Sequence, residues 1–209
     1  MTTERVLRQD AARNRERLVR AAREVFGRDG LDAPLERIAR EAGVAIGTLY
    51  NRFPTRGALV DAALGPLAER AAEITERAAH ADDPWDGFAS FMEQTCELLA
   101  EDRGYTDVHR SRTAGTPVID AAQQRIAAHK SAIVTRAKAA GVLRADIEPS
   151  DLVLLVWGIA AVVDATRVAA PNAWRRHLAL LLDGLRPEAA HPLRVPPLTA
   201  EQLRDAEPR

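Results

Sequence analysis

The stretch Ile38–Phe53, IAREAGVAIGTLYNRF, decides how the rest of the chain is read. Ile38, Ala39 and Ala42 share one apolar face of a short helix; Gly43 then breaks the pattern and lets the backbone turn, and Val44 closes the turn. A second helical segment follows, with Leu49 and Phe53 four apart on the buried side and Ala45, Ile46, Thr48, Asn51 and Arg52 outside. Two short helices joined through Ala-x-x-x-Gly-Val have the form of a helix-turn-helix, whose second helix enters the DNA major groove.

The flanking sequence supports that reading. Upstream, an irregular arm leads to Asp10, an N-cap for a helix in which Leu18, Ala22, Val25 and Phe26 share a face and which Gly27 to Gly30 stops. Arg13, Arg15, Arg17, Arg20 and Arg23 lie off that face, as phosphate contacts or as a solvated surface. Pro34 opens the next helix, Leu35 to Ala42. Downstream, Pro54 ends the second short helix and Thr55 caps a fourth, through Ala58, Leu59, Ala62 and Ala63. Gly65-Pro66 predicts a kink or restart there, because an interior proline removes a hydrogen bond and costs about 3 kcal/mol.

Composition bounds the remainder. Of 209 residues 46% are hydrophobic and 4% aromatic, with Ala, Leu, Arg and Glu abundant, a balance that favours an all-α fold with a real core. The net charge of -1 hides an asymmetry: residues 1–60 hold twelve arginines against eight acids, +4, which leaves -5 for the rest. A basic N-terminal third on an acidic body suits attraction to phosphates. The single cysteine, Cys96, excludes an internal disulfide and fits a reducing cytoplasm. Thr2 to Arg17 is polar, without a signal-peptide core. The longest apolar run, the twelve residues Leu152 to Val163, falls short of the roughly 20 needed to span a bilayer, so no membrane partner is expected.

Beyond residue 60 the pattern stays helical. Trp85, Phe88, Met92, Thr95 and Leu99 form one helix, capped by Asp82 or Asp83; Arg103 to Thr116 is poorly periodic, a short helix and loops. Thr116-Pro117 starts a long helix to Gly141, Glu148-Pro149 another to about Arg167, and Pro171-Asn172 a last one with Trp174, Leu178, Leu181, Leu182 and Leu185 in a stripe. Leu152 to Val163 is apolar on all sides, which implies cover from its own domain on one face and from a second copy on the other. We therefore divide the chain into 1–60, a three-helix DNA-binding domain, 61–186, a larger helical ligand-binding and dimerisation domain, and 187–209, a Pro-rich irregular tail.

The run from Arg17 to Leu59 resembles the DNA-binding domain of the TetR family of bacterial regulators. The resemblance rests on Ala21-Ala22 with Phe26 and Gly30, on IA-x-x-AGV, on G-T-L-Y-x-x-F, and on a basic residue three positions past that Phe. It implies that Ala45 to Phe53 is the recognition helix, with Thr48, Tyr50, Asn51 and Arg52 facing DNA and Gly47 permitting close approach. Arg56 would stand where the family often has a phosphate-binding Lys. Asn and Arg are suited to bidentate contact with base edges, and hydroxyls to phosphates. Ala45 and Ile46 depart from the common pattern, which has Ser and a polar residue there; Ile46 is a methyl-contacting group or a bland exposed aliphatic. Arg15 completes the expected DNA-binding set.

No G-x-S-x-G, G-x-G-x-x-G, Walker loop, H-E-x-x-H or C-x-x-C occurs, and the five histidines are scattered, so no enzyme activity, metal or cofactor is expected. Phe88, Phe91, Met92, Thr95, Cys96, Tyr105, His109, Arg112, His129, Trp157 and Asp164 are candidates to line an apolar effector pocket with a few polar points. The reading is a homodimeric DNA-binding regulator, paired through its two C-terminal helices, that binds a near-palindromic double-stranded operator as a repressor and is released by a small-molecule effector. A second reading keeps the regulator without a ligand; a third makes the chain a helical enzyme or small-molecule binder.

Overall fold

A computed structural model describes residues 2–110 and 116–206, and every regular element among them is a helix. In chain order these are α1 (Thr2–Asp29), α2 (Leu35–Glu41), α3 (Ile46–Arg52), α4 (Arg56–Ala79), α5 (Pro84–Glu101), α6 (Arg103–Arg110), α7 (Pro117–Ala139), α8 (Pro149–Thr166), α9 (Ala173–Gly184), a 3-10 turn at Pro187–Ala189, and α10 (Ala200–Asp205). The chain forms two compact units, one of residues 1–68 with 102–120 and one of 69–101 with 121–209.

In the first unit, Leu18, Ala21, Ala22, Val25 and Phe26 of α1 are buried with Leu35, Ile38 and Ala39 of α2 and Leu49 of α3. α1 starts at Thr2, so the stretch before Asp10 expected to be irregular is helical. With neither Gly nor Pro before Gly27, nothing in the local sequence interrupts the helix. Gly30 then leaves it at φ +84, and its N–H reaches the Phe26 carbonyl at 2.9 Å.

Of the kink or restart expected at Gly65-Pro66, the restart does not occur; α4 continues through Pro66 to Ala79. Pro66 is exposed, while Leu64, Leu67 and Ala68 beside it are buried. Burying two leucines yields roughly 1.5–3 kcal/mol each, enough to offset one missing hydrogen bond.

Helix ends in this unit are closed by acidic side chains, one remote and one adjoining. Asp61 of α4 accepts the Val118 and Ile119 N–H groups of α7 at 3.2 and 3.0 Å. α6, which sequence periodicity leaves undefined, starts on Asp102, whose Oδ1 accepts the Tyr105 N–H at 3.1 Å.

In the second unit α5 packs on α8 and α9, and α8 on α9. Asp83, one of the two expected caps, closes α5 by accepting the Trp85 and Asp86 N–H groups at 2.8 Å each. The Glu148-Pro149 start holds: the Glu148 N–H donates to Asp151 at 2.8 Å, three residues into α8. α7 ends through Gly141 at φ +68, and its Arg136 donates to the Ala79 and Ala81 carbonyls at the exit of α4. Val118 in the first turn of α7 is exposed, and the buried face of the helix begins at Ile119. The tail is anchored where Arg144 donates to the His191 carbonyl at 2.8 Å, and it regains a helical turn at α10, where Thr199 and Gln202 form a reciprocal cap.

Because Asp61 satisfies two first-turn N–H groups of α7, Asp61→Ala should lower stability by about 1 kcal/mol, with Asn recovering part of the loss. Urea unfolding of the two variants checks this.

Candidate nucleic-acid interface

The helix-turn-helix is built from a short apolar anchor and a polar outer face. Gly43 takes φ +65 between α2 and α3, a left-handed conformation that a side chain would strain. The Val44 N–H returns to the Ala39 carbonyl at 3.0 Å and closes the turn. Ala45 is extended at the N-terminus of α3, and Phe53 is extended at its end, with its N–H on the Leu49 carbonyl. Leu49 is fully buried and Phe53 nearly so, which clamps α3 at its middle and its exit.

This clamping fixes what faces outward. Ile46 is 36% and Tyr50 48% exposed, large values for an aliphatic and an aromatic side chain. Ala45, Gly47, Asn51 and Arg52 are exposed as well, and Thr48 is half-buried. A Cβ built on Gly47 would meet nothing within 4 Å, so a partner can approach the backbone there. Seven of the nine expected DNA-binding residues thus lie on one short helix and its N-terminal flank.

The other two behave differently. Arg15 of α1 places its guanidinium 5.4 Å from the centre of the Phe53 ring, a cation–π contact that holds it beside the end of α3. Arg56 directs Nη1 to the carbonyls of Leu31 at 2.6 Å and Ala33 at 2.8 Å in the α1–α2 connection. Arg17 is a further residue at this site: its Nη2 reaches the Gly43 carbonyl at 3.4 Å. Periodicity had no means of singling it out among the eight arginines of α1, because its partner lies 26 residues away.

An exposed ion network braces α2 from behind. Arg28 donates to Glu41 at 2.8 Å and to Asp29, and Arg37 reaches Asp29 at 3.1 Å and Glu41 at 3.3 Å. The hydrogen bond from Arg28 holds both carboxyls below their ordinary range, with partial desolvation acting the other way.

The residues expected to line an effector pocket divide between the units. Phe88, Phe91, Met92, Thr95 and Cys96 lie on the buried face of α5. Burial also pushes the Cys96 thiol up to about 12, with Glu93 adding to the rise, so Cys96 is a small apolar group at neutral pH. His129 of α7 is half-buried, its ring 6.1 Å from that of His80 at an edge-on angle of 61°. Asp164 of α8 pairs with Arg167 at 3.1 Å. The Trp157 Nε1, also on α8, is buried with no hydrogen-bond partner among the described residues. Tyr105 belongs to the first unit, where it is buried. Arg112 and the side chain of His109 lie outside the described residues. A groove of about 410 Å³ opens instead between α5 and α9, lined by Asp86, Ala89, Ser90, Glu93, Trp174, Arg175, Leu178, Ala179 and Leu182. None of these was on the expected list. Arg175, stacked 4.5 Å over Trp174 and bonded to Glu93 and Glu97, forms one wall.

Comparison with known proteins bears on both ends of the chain. Residues 18–63 match the model for bacterial regulatory proteins of the tetR family, and residues 83–187 match the C-terminal domain of SbtR-like transcriptional regulators. The chain is 36% identical to the TetR transcriptional regulator SCO0520 from Streptomyces coelicolor, over 83% of this chain and 98% of that one, with a TM-score of 0.56. The ketosteroid transcriptional regulator KstR2 of Mycobacterium tuberculosis shares the fold at a TM-score of 0.62, with 19% identity over 82% of this chain and 94% of its own. Among curated proteins no significant match is found.

Since the Asp29 and Glu41 carboxyls have depressed values when folded, their stabilising effect is present above the ordinary carboxylate range and lost as pH falls through the folded values. Arg28→Ala should therefore shrink the drop in melting temperature between about pH 5 and pH 3. Thermal scans across that window measure it.

Proposed function

The chain belongs to the TetR family of bacterial transcriptional regulators, with an N-terminal helix-turn-helix DNA-binding domain and a helical C-terminal domain, and from that premise we propose that it is a cytoplasmic, homodimeric repressor whose operator is near-palindromic and whose release is driven by a small-molecule effector. The observation that carries this reading is the division of α3, with Leu49 fully buried and Ile46, Tyr50, Asn51 and Arg52 outside. Asn51 and Arg52 read base edges, Tyr50 and Thr48 place hydroxyls on phosphates, and Arg15 and the Ala45–Gly47 turn meet the backbone and thymine methyls.

Dimerisation is supported by what the second unit leaves uncovered. On α8, Leu154, Gly158, Ala161 and Ala165 are exposed at helical spacing, opposite the buried Leu152, Val156, Ile159, Ala160 and Val163. On α9, Leu180 is 60% exposed. Paired with their copies, these faces bury apolar surface on a two-fold axis and set two recognition helices roughly 34–36 Å apart, one turn of DNA.

For the effector, the support is the orphaned indole N–H of Trp157. A buried donor left unpaired costs about 1–3 kcal/mol, and an acceptor on a bound molecule would remove that cost. By linkage the effector frees DNA only if it prefers the conformation that binds DNA poorly. The burial of Phe88, Met92 and Cys96 favours a second reading, in which the C-terminal domain only dimerises.

We expect Asn51→Ala and Arg52→Ala each to weaken operator binding by about tenfold or more while melting temperature stays unchanged, read by a fluorescence-anisotropy titration on a duplex from the region upstream of the gene. The same samples should sediment as dimers at micromolar concentration; a monomeric mass rejects the pairing. A metabolite panel separates the two readings of the C-terminal domain, because an effector at 100 times its Kd adds about 2.7 kcal/mol of stability and no compound does so for a ligandless regulator.

A further inference from the structure

Arg56 is the first residue of α4, and its guanidinium is turned into the protein rather than left to solvent. Nη1 bridges the carbonyls of Leu31 and Ala33, both buried residues. From the opposite side Asp107 of α6 accepts the Leu31 N–H at 3.0 Å. The Leu31 backbone is thus held on both polar groups, by a cation on its C=O and an anion on its N–H.

The surroundings are shaped to this arrangement. Gly30, at φ +84, brings the chain off α1 so closely that a Cβ there would lie 2.5 Å from the Asp107 carboxylate. Gly104 seats α6 on α1, where a Cβ would lie 2.8 Å from that of Phe26. Only Asp32, Ala33 and Pro34 separate Leu31 from α2, and Pro34 is itself restricted to φ near its observed -61. Fixing Leu31 and Ala33 therefore fixes where α2 begins, and through the tight Gly43 turn, how α3 is presented.

We propose that Arg56 is a positioning residue for DNA recognition, not a phosphate ligand, and that Asp107 is its counterpart. Together they set the attitude of α2 and α3, so they govern selective binding to the operator more than general attraction to DNA. The two roles differ in charge. A phosphate ligand contributes to every duplex and to the counterions released, whereas a positioning pair matters only where base edges are read. Asp107 sharpens the contrast, because an acid cannot ligate phosphate and its removal makes the protein more cationic.

The test uses the full chain, a duplex that the wild-type protein selects from a randomised pool, and an unrelated duplex of equal length, titrated over a range of KCl concentrations. Arg56→Ala and Asp107→Ala should each lower affinity for the selected duplex by about tenfold and leave the unrelated one within about twofold. The slope of log K against log salt should not change. Their double variant should be little worse than either single, since both act on one backbone segment. Arg56→Lys, whose ammonium also donates to both carbonyls, should restore most of the selectivity. A slope reduced by about one in Arg56→Ala, with both duplexes weakened alike, would make it a phosphate ligand and overturn the proposal. Wild-type selectivity in Asp107→Ala would overturn it as well. Circular dichroism identifies a variant that does not fold, and the other alanine variant then decides alone.

Discussion

A seven-residue helix does not persist in water by itself; nucleation is too costly and too few hydrogen bonds follow it. The exposed face of α3 therefore exists only because Leu49 and Phe53 sink into a core made by Leu18, Ala22, Val25 and Phe26 of α1 and Ile38 of α2. Every outward residue of the recognition helix depends on that insertion. A Leu-to-Ala change in such a core typically costs about 2–5 kcal/mol, more than any single exposed side chain of α3 could contribute to stability. The residues proposed to read DNA and those that hold the helix in place thus occupy different faces of one short segment.

Around this core, side chains close the helix ends, some from the adjoining residue and some from distant parts of the chain. Asp61 serves α7, Asp102 serves α6, Asp83 serves α5, and Arg136 meets the carbonyls at the exit of α4. Each removes orphan backbone groups that a helix end leaves open. Acidic side chains sit at N-termini and a basic one at a C-terminus, the placement that the helix dipole favours.

What was legible in the sequence follows from which interactions are local. The helix-turn-helix was readable because its signals, apolar spacing and a glycine at the turn, act within a few residues. The α8 start was equally visible, since Glu148, Pro149 and Asp151 are neighbours. At Pro66 the local cost is plain, whereas the burial of Leu64 and Leu67 that offsets it and spares α4 a restart is tertiary. The short helix expected within Arg103 to Thr116 could not be given bounds from spacing, because its seat on Phe26 is non-local. Among site residues, exposure on α3 followed from spacing alone. The engagement of Arg56 with Leu31 and Ala33 did not, because nothing near position 56 announces two carbonyls some 23 to 25 residues earlier.

The distribution of aromatic side chains has an optical consequence. Trp85, Trp157 and Trp174 all belong to the second unit, and both tyrosines, Tyr50 and Tyr105, belong to the first. Light absorbed by indole alone reports on the C-terminal domain, with Trp85 covered by Arg186 at 3.4 Å and Trp174 beneath Arg175. The DNA-binding unit is silent at those wavelengths. Its two phenols are themselves unlike, Tyr50 half in water on the recognition helix and Tyr105 sealed in the core. The chain therefore carries, without the addition of any label, a reporter that is selective for its second unit.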